Sequence, residues 1–203
     1  MKEHGYKAIV GLKPRLQKDI IERMRLAEEA GIIALTIDLD SAGRAARATK
    51  GQTVEPKTFE QLKELVKASK LPLLFKGIMT PDEAELCINA GAAGIVVSNH
   101  GGRVLDQCPA TAEVLPEIAE ALKGSGVKIL VDGGIRTGVD VFKALALGAD
   151  AVLICRPFVT AVYGGGEEGV KCYIDKIAAE LADTMQMCGA HSLAEITRDM
   201  VRI

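Results

Sequence analysis

The 203-residue sequence has no tryptophan, three tyrosines and four phenylalanines, too few aromatic faces for a platform that stacks single-stranded nucleic acid. It has no surplus charge either. Its 25 Lys+Arg and 27 Asp+Glu leave a formal net charge of −2, which gives neither nucleic acid nor an anionic membrane a reason to bind. No apolar run approaches the roughly 20 residues of a spanning helix, and no signal peptide is expected at the start. The five cysteines (Cys87, Cys108, Cys155, Cys172 and Cys188) contain no CxxC pair. Scattered and odd in number, they indicate neither a zinc site nor a disulfide framework. Reduced thiols in a cytoplasmic protein are the simpler expectation.

What is present is an ordinary globular balance, 48% hydrophobic and 26% charged, over a length that suits one domain, residues 1–203, with a substantial core. The periodicity alternates. Short apolar runs occur at KAIVGL, IIALTID, LPLLFKG, AGIVVSN, VKILVDGG and DAVLICR. Between them lie amphipathic segments such as LQKDIIERMRLAEEAG, TFEQLKELVKAS, PDEAELCINAG, TAEVLPEIAEALKG and GVDVFKALALGA, several opening at small or acidic residues and closing at glycine. Thr80 followed by Pro81 is a helix-start signal. Such βαβα alternation predicts parallel strands joined by right-handed helical crossovers. A full (β/α)8 barrel needs about 250 residues. The expectation is therefore an α/β fold, a TIM (β/α)8-type barrel truncated to about six βα units. YGGGEEG, Tyr163 to Gly169, is the one flexible stretch, ahead of a final helical region.

The strand ends carry the chemistry. SNHGGRVLD, Ser98 to Asp106, follows an apolar run with a histidine, two glycines and an arginine. DGGIRTG, Asp132 to Gly138, follows a strand and opens a helix, so its backbone N–H groups and the helix N-terminus can hold an anion, with Arg136 adding a forked contact. The next strand ends at CRP, which places Arg156 one loop further round, and a phosphate shared between the last two loops is a recurring barrel feature. Alone, DGG is a turn and a histidine is merely hydrogen-bonded. In company they read otherwise, because Thr36 and Asp38, Lys76, Ser98 and His100, Asp132, and Arg156 end successive strands at one edge. The first strand alone delivers no such group.

FKGI, GIVVSNHGGRVLD, DGGIRTGVDVFKALALGADAV and RP together resemble the FMN-dependent α-hydroxy acid oxidase and dehydrogenase family, which includes glycolate oxidase, lactate oxidase and the flavin-dependent L-lactate dehydrogenases. The likeness runs from about Lys7 to the C-terminus and is densest from Leu71 to Pro157. It implies FMN as cofactor and a small 2-hydroxy acid, lactate- or glycolate-like, as substrate, oxidised to the 2-oxo acid. By this resemblance His100 is the base that removes the substrate proton, Asp38 supports its imidazolium, and Arg103 clamps the substrate carboxylate. Lys76 sits against the flavin, while Thr36 and Ser98 are flavin hydrogen-bonders. Asp132 holds the ribityl chain, and Gly133, Gly134, Ile135, Arg136, Cys155 and Arg156 surround the phosphate. Cys155 stands where the family usually has glycine. Asp106 is read as an orienting partner for the loop and Lys143 as a solvated helix residue, while His4 and His191 have no convergent partners.

Relative to the family, the opening segment and first two strands are absent. Ala8 and Val10 stand where members usually carry glutamine and tyrosine. The segment after Asp38 is short, keeping Arg44 but with Ala45 where many members place a second arginine. An arc of six strands leaves two edges of unpaired backbone groups, so a homo-oligomer or a partner segment that completes the barrel is expected. Two other readings stand beside the oxidase. One is a catalytically inactive, flavin-binding remnant. The other is a barrel like the FMN-dependent isopentenyl diphosphate isomerase, against which the pairing of His100 with Arg103 argues.

Overall fold

The structure, a computed structural model, describes residue 5, residues 7–43 and residues 53–202. His4, Arg44 and Ala45 lie outside the described residues. Six parallel strands form one sheet in chain order: β1 (Ile9–Leu12), β2 (Ala34–Asp38), β3 (Leu73–Ile78), β4 (Gly94–Val97), β5 (Lys128–Val131) and β6 (Ala151–Val152). Each crossover among the described residues carries a helix: α1 (Gln17–Glu29), α2 (Phe59–Ala68), α3 (Pro81–Asn89), α4 (Thr111–Ala121) and α5 (Gly138–Ala146). A long α6 (Arg156–Cys188) follows β6. This is the six-unit truncated TIM-type barrel that the alternation predicts, a half-barrel with β1 and β6 at its two edges.

Local chemistry sets the helix starts. Thr58 and Gln61 form a reciprocal capping box at α2, and Thr137 and Asp140 form another at α5, each satisfying N–H groups the first turn leaves free. At α3 the Thr80 hydroxyl accepts from the Glu83 N–H and Pro81 occupies the first turn. YGGGEEG does not interrupt the chain as a loop. It lies inside α6, whose helical geometry breaks at Gly165 and Gly166.

Alternation along the strands separates two apolar layers. Leu35, Ile37, Phe75, Ile95 and Val97 face the helices, where they bury against Ile20, Met24, Leu65, Leu115 and Ile118. Ala34, Leu74 and Val96 face the other way and pack with Leu130 and Leu153. That second, concave layer continues towards the carboxyl ends of the strands. Thr36 and Asp38 share the parity of Ala34, as Lys76 shares that of Leu74, Ser98 that of Val96 and Asp132 that of Leu130. The period of two is what brings polar groups from four strands to one face.

Candidate active site

The loop after β4 is built by its own side chains. The Asn99 carboxamide oxygen accepts from the N–H groups of Gly101 (3.0 Å) and Gly102 (3.3 Å), and its amide donates to the Pro109 carbonyl (3.0 Å). His100, Gly101 and Gly102 all adopt positive φ, so the backbone doubles back and turns the imidazole towards the strand ends. The His100 N–H donates to Ser98 Oγ at 3.0 Å. Asn99, which the sequence reading passed over, organises the loop. Among the described residues Asp106 accepts only from the adjacent Gln107 N–H.

Lys76, at the end of β3, donates to Ser98 Oγ and pairs with Asp132 at 2.9 Å. Three strands are thereby tied at one level. The loop after β5 then opens: the Asp132 carbonyl accepts from the Thr111 hydroxyl at 2.6 Å, and Gly133 turns at φ +99°, where a Cβ would lie 2.8 Å from that hydroxyl. Only glycine fits there. Asp140 accepts from the N–H groups of Arg136 and Thr137, each at 3.0 Å, and from the Thr137 hydroxyl at 2.9 Å. Burial pushes the Asp140 carboxyl up, but those hydrogen bonds and the Lys143 charge outweigh it and hold the group below the usual carboxylate range.

A cavity of about 460 Å³ opens at this mouth. Lys76, His100, Arg103, the loop from Asp132 to Arg136, Cys155 and Arg156 are among the residues that line it. Arg103, Arg136 and Arg156 are exposed and make no ion pair among the described residues. Thr36 is not among the residues lining this cavity; its buried Oγ1 has no partner among the described residues, a polar atom whose burial calls for one. Lys143 is exposed on its helix, as a solvated helix residue should be, at the edge of a second cavity of about 400 Å³.

Two features depart from the sequence reading. The carboxylate on the His100 ring belongs to Asp40, with Nδ1 3.0 Å from Oδ2 and 3.2 Å from Oδ1. Asp38, which the resemblance assigns to that place, instead pairs with Lys13. The strand register explains this pairing. Leu12 lies opposite Ile37, so the next residue on each chain, Lys13 and Asp38, meet. The first strand therefore does deliver a charged group to the mouth.

The fold and this mouth define a class: parallel β/α barrels with a cavity lined by basic side chains at the carboxyl ends of their strands. Within it, the chain belongs to the FMN-dependent dehydrogenase family, whose model matches residues 3–203. It is 40% identical over 213 residues to a peroxisomal (S)-2-hydroxyacid oxidase of Arabidopsis thaliana, covering 88% of this chain and 58% of that protein. It is 39% identical over 219 residues to glycolate oxidase 1 of Oryza sativa subsp. indica, covering 89% and 59%. Among solved structures, a mandelate oxidase variant with a monooxide FMN adduct superposes with a TM-score of 0.87 at 39% identity, covering 96% of this chain and 62% of that one. The chain thus spans about three fifths of the length of these relatives.

Proposed function

We propose that this chain is the FMN-binding, catalytic-face portion of an oxidase or dehydrogenase that converts a small 2-hydroxy acid to the 2-oxo acid. The observation that carries the proposal is the shared cavity. A histidine ring held by a carboxylate and an arginine with no ion pair among the described residues face the same space as a lysine and a glycine-rich loop flanked by two more arginines. FMN suits the residues present, since the orphaned Thr36 Oγ1 offers a hydrogen bond and Arg136 and Arg156 suit a phosphate. The flavin supplies a two-electron acceptor when bound.

His100 takes the proton of the substrate, through the ring nitrogen that does not face Asp40. Arg103 binds and orients the carboxylate with a planar fork. Lys76, anchored by Ser98 and Asp132, presents positive charge to the flavin ring, while Gly133, Gly134, Ile135, Arg136, Cys155 and Arg156 surround the phosphate. The substrate is lactate- or glycolate-like. A homo-oligomer or a partner segment covers the strand edges. We place the chain in the cytoplasm on its free thiols, and fractionation tests this against the peroxisomal compartment in the names of its plant relatives.

The test is purification without added flavin, followed by titration with FMN and anaerobic addition of glycolate, L-lactate or mandelate. Bleaching of bound flavin supports the proposal. His100→Ala is expected to keep the flavin and lose bleaching, and Arg136→Ala to weaken flavin binding. Flavin that binds but never bleaches favours the second reading, a non-catalytic remnant, for which Ala8 and Val10 speak. Protein that takes up no FMN overturns both.

A further inference from the structure

We propose that Asp40, not Asp38, is the positioning residue of His100, and that Lys13 holds Asp38 away from that role; the functional part of this rests on reading His100 as the base. Asp40 lies in a 3-10 turn over Leu39–Gly43 that bends away from the end of β2. Its carboxylate oxygens stand 3.0 and 3.2 Å from His100 Nδ1, with the Asp40 side chain 10% exposed and the imidazole 17% exposed. A carboxylate accepts and cannot donate, so the pairing puts the proton on Nδ1 and leaves Nε2 as the acceptor.

A second, independent feature marks the position as built. β3 carries a bulge between Lys76 and Ile78, and Gly77 there has φ +98°. A Cβ on Gly77 would sit 2.5 Å from Asp40 Cβ and 2.6 Å from its Cγ. The absence of a side chain at 77 is what admits the Asp40 carboxylate against His100. Asp38 is meanwhile committed, since Lys13 Nζ binds its Oδ2 and lies 3.5 Å from the Ser41 hydroxyl. Asp38 and Asp40 thus have separate partners, Lys13 for the first and His100 for the second.

The tautomer of His100 reads this out without flavin or turnover, so its result is separable from that of the proposed oxidation. Long-range proton–nitrogen NMR spectra distinguish the two neutral imidazole forms, and the chain has only three histidines to assign, with His100→Gln identifying the signal. The unsubstituted protein and Asp38→Ala are both expected to show His100 with its proton on Nδ1. Asp40→Ala is expected to abolish that preference and to lose any slowly exchanging Nδ1 proton, with the His191 signal unmoved as a control for folding. Gly77→Ala, which displaces Asp40 without removing it, is expected to give the same His100 change. Because an alanine at φ +98° also strains the backbone, Asp40→Asn serves as the second variant, its amide oxygen restoring part of the Nδ1 preference. A change of tautomer in Asp38→Ala, or none in Asp40→Ala, overturns the assignment.

Discussion

Asp140 gives the most quantitative handle on the loop after β5. One of its carboxylate oxygens accepts from two backbone N–H groups and one hydroxyl, and its own N–H donates back to the Thr137 hydroxyl at 3.2 Å. In Asp140→Ala the N–H groups of Arg136 and Thr137 lose their acceptor together. Loss of a helix cap costs about 1 kcal/mol, and a hydrogen bond to a charged group contributes about 1.5–3 kcal/mol. Water reaches this half-buried carboxylate and screens it, so about 2 kcal/mol is the reasonable sum, a factor of about 30 in the folded-to-unfolded ratio. For a chain of this size that lowers the thermal midpoint by about 4–8 °C. Urea and thermal unfolding measure it, with Asp140→Asn expected between the two because its amide oxygen still accepts. The effect has a pH signature. Since the folded carboxyl sits below its ordinary value of 3.8, its stabilisation is complete well above that value and disappears as pH falls through the lower folded value. The gap between Asp140→Ala and the unsubstituted protein should therefore be constant from pH 7 to 5 and close in stronger acid. A midpoint shift under about 1 °C at pH 7, or a gap that widens on acidification, refutes the reasoning.

Burial first, and then Glu83, push the Cys87 thiol up to about 12. At pH 8 only about one thiol in ten thousand is then ionised. Cys87 is expected to react with a disulfide reagent only after unfolding, whereas exposed Cys155, Cys172 and Cys188 react in the native protein; equal rates for all five would contradict this. Gly138, at the first position of α5, lies so close to α6 that a Cβ would fall 2.2 Å from the Leu181 N and 2.6 Å from Glu180 Cβ. Gly138→Ala must part the two helices and is expected to cost about 1–3 kcal/mol as overpacking, read as a drop in urea midpoint. An unchanged midpoint would mean that the two helices can separate freely.

Much of the architecture is legible in the residues because strands and helices here obey different periods. The run AGIVVSN becomes β4 at Gly94–Val97, and Thr80–Pro81 opens α3 as its chemistry dictates. What escapes is short-range bending. Asp38 and Asp40 both lie in TIDLD, and nothing in that string says the chain leaves the strand after the first. The clue is elsewhere, in the glycine after Lys76, because a side-chain-free residue at a strand end signals a close neighbour. Lys13 escapes for a similar reason: Pro14 ends the apolar run early, and only the register with β2 shows that the lysine reaches the mouth. Conversely, YGGGEEG looks flexible because glycine disfavours helix by propensity, yet the chain keeps its helical course on both sides of Gly165 and Gly166. The local preference still shows, since the helical geometry breaks at those two glycines.

At the strand ends, Lys13 cancels Asp38 and Lys76 cancels Asp132, so the fixed charges that neutralise one another contribute little at a distance. Of the cavity's lining, Arg103, Arg136 and Arg156 are left without an ion pair among the described residues, a positive collar beside the Asp40 carboxylate that His100 faces, on a molecule whose overall balance is slightly negative. An anion diffusing nearby is drawn to this collar from beyond contact, but only within about 8 Å in physiological salt. Raising ionic strength should slow capture of a phosphate-bearing ligand more than it speeds release.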